Sequence, residues 1–178
     1  MAKGKKRPER AIVDELFSHH LGYELWMLDA LYGELNSGKY PQHLHNAHVE
    51  SFHLHARNVH EFFTLNSNCK IDPRWFATGF EVNKGFMNDE LVKKINQQMA
   101  HLTAKRIIGE GQLDQTHWKE IKDSIDAEVR RFESTLTPEY KSIWRKPRSI
   151  SAGDGGASSL PTAIKTTTLT PPVGKLTK

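Results

Sequence analysis

Histidine is concentrated in one part of this sequence. Six of the ten histidines, at positions 43, 45, 48, 53, 55 and 60, fall within 18 residues. Imidazole side chains bind metals and transfer protons near neutral pH. Two metal ligands on one helix must be three or four residues apart to share a face, and only His45 and His48 meet this condition. Glu50 and His53 have the Glu-x-x-His spacing of di-iron bundles, but the sequence contains no second copy. We therefore predict no metal site and no cofactor.

Helical periodicity places two of these histidines among apolar residues. At about 100° per residue, His48 and His55 lie in the same arc as Phe52, Val59 and Phe62. A neutral imidazole in a helical core needs a hydrogen-bond partner across the bundle. An imidazole that faces a cleft could instead transfer protons, with its pKa tuned by burial or by a carboxylate. The sequence leaves both interpretations open.

A second polar group lies nearly opposite this apolar arc. Arg57 lies there, with Glu50 seven residues before it and Glu61 four residues after it, and the spacing to Glu61 is that of an exposed ion pair. If another helix covers this side, Arg57 and Asn58 need partners or a ligand. His101 and Arg106 form a similar polar end to a later helix, where cations are favourable in any case. No nucleophile elbow and no phosphate-binding glycine loop occurs in the sequence, so Cys69 is not predicted to be catalytic.

Two sequence runs carry a family resemblance. The runs ESFHLHARNVHEFF (50–63) and INQQMAHLTAKR (95–106) resemble a family of small uncharacterised bacterial all-helical proteins. That family has a Glu, then His-x-Arg-Asn with an acidic residue and Phe, and later His-Leu-Thr-x-x-Arg. The resemblance covers about residues 20–140 and implies no activity. It implies that the shared polar positions meet in space, and these are Glu50, His55, Arg57, Asn58, His101 and Arg106.

The Arg-Asn pair on a helix is also similar to nucleotide-binding helical domains of the HEPN type. Several of those domains are ribonucleases, and in them the Arg is followed by a His after four to six intervening residues. Here His60 follows Arg57 after two residues, and Phe62, Phe63 and Thr64 stand at the longer distances. The similarity implies a site in which an Arg binds a phosphate group and a His acts as an acid or base.

The elements that must position these residues are helices. Apolar periodicity predicts helices over about 11–35, 42–65, from Asn88 to Arg106 or Ile108, and from Asp114 or Thr116 to about 136. Thr137-Pro138 begins a short final helix to about 145. In the first helix, Ile12 and Tyr23 are placed on the apolar stripe, and the aromatics of 66–87 are expected to anchor that segment over the bundle. We predict an all-α helical bundle of four main helices with a short fifth.

The charge of the chain is divided unevenly. Residues 1–10 carry five Lys or Arg and one Glu, residues 146–178 carry five and one Asp, and the 178-residue chain has a formal net charge of +4. The stretch 11–145 is therefore acidic overall. We predict a helical domain over 11–145, a basic disordered segment over 1–10 and a disordered Ser/Thr/Gly/Pro-rich tail over 146–178. Any polyanion binding should be weak, non-specific and located in these ends.

Two features of the composition exclude some kinds of site and of protein. The chain has one cysteine, which excludes an internal disulfide and a cysteine zinc site, and no apolar run of the length that spans a membrane. We expect a cytoplasmic protein with no membrane partner.

Two functions fit these residues. The first is a helical binding or interaction protein whose partner is an unknown macromolecule or a second copy of the chain. The alternative is a nucleic-acid-directed hydrolase, a HEPN-like ribonuclease, in which Arg57 holds phosphate and His55 or His101 acts as acid or base. In either function Glu50, Asn58 and Arg106 are candidate ligand-binding residues. Whether the chain is an enzyme stays open.

Overall fold

Long helical rods follow one another along the chain, as the periodicity predicts. The computed structural model describes residues 9–38, 40–65, 71–100 and 113–144, without the side chains of residues 18 and 98–100. Helix α1 (Arg10–Glu15), a π-helical turn (Leu16–Leu21) and α2 (Gly22–Ser37) are continuous and form the first rod. The others are α3 (Gln42–Thr64), α4 (Asp89–Ala100), α5 (Gln115–Thr135) and the short α6 (Pro138–Ile143).

The predicted fold class is confirmed. No strand occurs within the described ranges, where the one β-type contact is an isolated bridge between Ala77 and Leu136.

Asp114 is the N-cap of α5, since its carboxylate accepts hydrogen bonds from the backbone N–H groups of Thr116 and His117. The predicted continuation of the third helix to Arg106 or Ile108, the tail over 146–178 and most of the 1–10 segment lie outside the described residues.

The π-helical turn corrects the predicted face of the first helix. Ile12 and Tyr23 were expected on the buried stripe, but they are 58% and 51% exposed. A π-helical turn closes hydrogen bonds from residue i to i+5 and so contains one more residue than an α-helical turn. Residues spaced by four then stay on one face, and the buried row is Val13, Phe17, Leu21, Leu25, Leu28, Leu31 and Leu35.

An aromatic cluster joins the aromatic-rich segment before α4 to the bundle. The Phe132 ring on α5 is fully buried and has ring contacts with Phe62, Phe63 and Phe80, with centroids 5.2–5.8 Å away. The Phe76 ring stacks on Phe17 at 4.7 Å. The predicted anchoring of this segment by its aromatics is therefore confirmed.

An ionic clamp holds the same segment on α5. The Arg131 guanidinium donates to the backbone oxygen of Glu81 at 2.7 Å, lies over the Phe80 ring and pairs with Glu128. Glu128 is buried, so removing Arg131 would leave a buried carboxylate without this ion pair.

Candidate functional site

The first candidate residue, His55, pairs with a carboxylate of the neighbouring helix. Its Nδ1 lies 2.7 Å from Oε2 of Glu24, which is half-buried on α2. In this pair the Glu24 carboxylate accepts a hydrogen bond from Nδ1–H, so the contact engages Nδ1 and not Nε2 of the ring. His55 is therefore buried and hydrogen-bonded across the bundle, as the core interpretation expects, and its partner is a carboxylate.

The candidate Asn58 reaches the same carboxylate. Its side-chain amide donates to Glu24 Oε2 at 3.2 Å, although Asn58 itself is exposed. We call Glu24, His55 and Asn58 the Glu24 cluster. The ring of Tyr23 contacts His55 edge-on at 5.7 Å and covers one side of the cluster. This arrangement orients the imidazole, as a carboxylate orients a catalytic histidine.

The candidate Arg57 lies on the side of α3 that faces α4. Its Nε donates to Oε1 of Glu61 at 2.9 Å, the i,i+4 pair that the sequence predicted. Arg57 and Glu61 line a small hollow between α3 and α4 with His60, Val92, Ile95 and Asn96. Residues two positions apart on a helix do not face the same way, which separates Arg57 from His55. The structure thus brings His55 and Asn58 together and assigns Arg57 to another contact.

The remaining candidates are Glu50, His101 and Arg106. Glu50 lies on the exposed side of α3. His101 and Arg106 lie outside the described residues, so their meeting with the α3 positions stays a prediction.

One surface of α3 carries four polar residues and one large apolar residue. Each polar residue is a candidate from the sequence or the partner of such a candidate. Leu54 is 42% exposed, and Arg57, Asn58 and Glu61 follow it at spacings of three, four and seven residues. Glu50 precedes it by four. We call Glu50, Leu54, Arg57, Asn58 and Glu61 the outer face of α3. Its centre is apolar and its edges are charged or polar.

Two histidines on the opposite flank of α3, the buried His53 and the half-buried His60, were not predicted to be covered. His53 is 1% exposed, and its Nε2 has no hydrogen-bond partner among the described residues. Burial lowers its pKa from 6.5 to about 4. Burial also lowers the pKa of His60, against the opposing effect of Glu61 and Asp89. By contrast His48, expected in the core, is half-buried against the edge of Tyr40.

Sequence signals existed for two of the missed residues. Glu24 falls on the apolar face of α2, three residues after Leu21 and four before Leu28, both of which are buried. An acid in that position requires a partner. His53 is three residues before Ala56 and ten before Phe63, which places it on the far edge of a buried face wider than one arc.

The described part of the chain contains no group of three or more His, Cys, Asp or Glu side chains placed to hold a metal ion. In the same ranges no helix is long and apolar enough to cross a membrane.

Comparison of the chain with protein-family models, with curated proteins and with solved structures found no match.

Proposed function

We propose that this protein is a non-catalytic binding protein and that the outer face of α3 is its recognition surface. The observation that carries this proposal is the separation of the candidate residues. His55 and Asn58 are paired with Glu24 on the α2 side, and Arg57 is paired with Glu61 on the α4 side. Individually paired groups at separate positions are typical of a structured surface, whereas catalysis requires convergent groups around one reacting atom.

The composition of the outer face supports recognition of another macromolecule. Protein interfaces have an apolar centre surrounded by polar groups, and a few central residues supply most of the binding energy. Leu54 occupies the centre, and the Arg57–Glu61 pair holds one edge in a fixed geometry. The partner is a macromolecule that is not yet identified or a second copy of this chain.

The resemblance to small bacterial helical proteins belongs to the same proposal. It adds His101 and Arg106 to the residues that would surround the recognition surface. We also propose a cytoplasmic location, which is supported by the single cysteine of the chain.

The test is site-directed photo-crosslinking in cells. A photoreactive phenylalanine analogue replaces Leu54 in one variant and Ile12 in a matched control, because both are exposed large apolar residues. We expect a discrete adduct from position 54 and none from position 12. An adduct of twice the chain mass identifies self-association, and any other mass identifies a distinct partner by mass spectrometry.

A second substitution tests whether the adduct reports specific binding. Arg57→Glu breaks the pair with Glu61 and reverses a charge next to Leu54, so the adduct should be lost while the helical circular dichroism is retained. Equal adducts from positions 12 and 54, or no adduct from position 54, would contradict the proposal.

A nucleic-acid-directed hydrolase is the second candidate, supported by one specific observation. The Glu24–His55 hydrogen bond leaves Nε2 of His55 as a base, as in the carboxylate–histidine pairs of hydrolases. In this function His55 would accept a proton from the attacking group and Arg57 would hold a phosphate of the substrate.

This candidate is tested with end-labelled single-stranded RNA. Cleavage by the purified chain should be abolished by His55→Gln and strongly reduced by Glu24→Gln, which removes the orienting charge. Arg57→Gln should raise KM more than it lowers kcat. Absence of cleavage by the unsubstituted chain, or cleavage that survives His55→Gln, would exclude this role for His55.

A further inference from the structure

The polar residues of the outer face of α3 are arranged symmetrically about Leu54. Glu50 lies four residues before Leu54, and Asn58 lies four residues after it. Ser51, which is half-buried beside this face, and Arg57 lie three residues before and after it. Residues seven apart lie on nearly the same side of a helix, so Glu50 shares one edge of the face with Arg57. For the same reason Ser51 shares the other edge with Asn58.

The apolar residues of this side follow the same symmetry. Tyr23 on α2 is 51% exposed, and its ring contacts the edge of His55, the residue after Leu54. Tyr23 and Leu54 therefore form an apolar centre at one level of the bundle. The exposed Leu44 and the half-buried Leu65 lie ten residues before and eleven residues after Leu54.

We infer that the partner of the outer face is a second copy of this chain, docked antiparallel on α3 with a two-fold axis at Leu54. This inference rests on the proposed function, in which the outer face is the recognition surface. Around such an axis, a residue before Leu54 meets the residue that follows Leu54 by the same number on the partner. Each edge of the face meets the same edge of the partner.

This axis places complementary groups next to each other. Glu50 meets Arg57 of the partner subunit, with an offset of one residue or about 1.5 Å along the helix. Ser51 meets Asn58 of the partner subunit on the other edge. Symmetry forms each of these pairs twice, and it brings the two copies of Leu54 together on the axis.

The contacts within one chain are compatible with these pairs. The Arg57 guanidinium has five N–H donors, and its Nε donates to Glu61. The Asn58 side chain donates its amide N–H to Glu24, and its amide oxygen is an acceptor suited to the Ser51 hydroxyl of the partner subunit.

Charge distinguishes this occupant from two others. A parallel pair of α3 helices would place Glu50 opposite Glu50 of the partner subunit, and these like charges repel. A nucleic acid is a poor fit as well, because the outer face has two carboxylates and one guanidinium and so repels phosphate on average.

The test is sedimentation velocity of the purified full chain over a concentration series, since a dimer formed mainly by one helix dissociates on dilution. Glu50→Arg and Arg57→Glu each place like charges across the axis, whereas an equimolar mixture of the two variants restores opposite charges in both pairs. The matched controls are Glu120→Arg and Arg130→Glu, which make the same charge changes at exposed positions of α5. The circular dichroism of every variant is compared with that of the unsubstituted chain.

We expect the unsubstituted chain to dimerise and each α3 variant alone to raise the dimer Kd by about 10-fold or more, because two ion pairs become repulsive. The mixture of the two variants should dimerise within about 3-fold of the unsubstituted Kd, since only the mixed dimer has opposite charges across the axis. Both α5 controls should dimerise as the unsubstituted chain does.

A further variant keeps every charge. Leu54→Gln should raise the dimer Kd by about 10-fold as well, because it removes the apolar contact on the axis. Ile12→Gln is its control, since Ile12 is another exposed large apolar residue. This pair of variants tests the same axis if a charge-reversed chain loses its helical circular dichroism.

Three results would overturn the inference. Dimers that resist Glu50→Arg, Arg57→Glu and Leu54→Gln would show that the chain pairs through another surface. Losses in both charge variants without recovery in their mixture would exclude the antiparallel pairs. A chain that is monomeric at every concentration would exclude the second copy. In that case an in-cell adduct of another mass from position 54 would leave the proposed function standing, and absence of any adduct would refute both.

Discussion

His53 should make the protein less stable as the pH falls from 7 to 5. Its side chain is buried without a hydrogen-bond partner for Nε2 among the described residues, and its pKa is about 4 in the fold against 6.5 in the unfolded chain. As the pH falls through 6.5, the unfolded chain binds a proton that the folded chain does not. The contribution of His53 to the free energy of unfolding therefore decreases over this range and is constant below about pH 4.

The magnitude follows from these two pKa values. One pKa unit corresponds to about 1.4 kcal/mol, so protonating His53 costs the fold about 3 kcal/mol in total. At pH 7 almost none of this cost is realised, and at pH 5 about 2 kcal/mol of it is. The half-buried His60 has a lowered pKa as well and adds to the loss in the same direction.

The assay is urea denaturation at pH 7, 6 and 5, followed by circular dichroism and tryptophan fluorescence. His53→Gln keeps a neutral polar side chain and should reduce the loss of stability between pH 7 and 5 by about 2 kcal/mol relative to the unsubstituted chain. His43→Gln is the matched control, because His43 is exposed near the start of α3. The His43→Gln variant should therefore keep the loss of stability that His53 causes between pH 7 and 5.

His53→Leu provides a second variant with a purely apolar side chain at the same position. It should flatten the pH dependence to the same extent, whatever its effect on stability at pH 7. The reasoning is wrong if both variants retain the full pH dependence, or if NMR shows His53 titrating above 6.5 in the folded protein.

Three further predictions concern stability. Arg131→Met should destabilise the fold by about 1–3 kcal/mol because it leaves the buried Glu128 carboxylate unpaired, whereas Met at the exposed Arg130 should cost under about 0.5 kcal/mol; urea titrations of the two variants compare them. Phe132→Ala should cost about 3–5 kcal/mol, since it opens a cavity at the centre of the aromatic cluster; a variant as stable as the parent would contradict the packing. Deleting residues 147–178 should leave the melting temperature nearly unchanged, because their composition cannot form a packed core; a fall of several degrees would show that they pack.

Apolar spacing was sufficient to predict the regular helices. On α5 the residues Trp118, Ile121, Ile125, Val129 and Phe132 are all buried, as their spacing predicts. When one face of a regular helix is covered, residues with this apolar spacing can all be buried in only one orientation of the helix. The local sequence therefore determines which residues are buried. The same pattern misplaced residues on the first rod, because the π-helical turn changes the number of residues per turn there.

The residue pairs of the candidate site depended on helix packing. Two-residue spacing already separates Arg57 from His55 on α3, but no local signal shows which helix each residue faces. The partner of His55 is Glu24, 31 residues earlier in the chain. Such a contact forms only when α2 and α3 pack in a particular register.

The sequence by itself therefore determined the all-α class, the boundaries of α3 and α5 to within one or two residues, and the i,i+4 pair of Arg57 and Glu61, because these depend on interactions within one turn or one helix. The tertiary structure decided that His53 is buried and that His55 is paired, since α3 packs against α2, α4 and α5 and is covered on more than one side. Contacts between distant residues are set by how whole helices pack, and the spacing of residues along one helix does not contain that information.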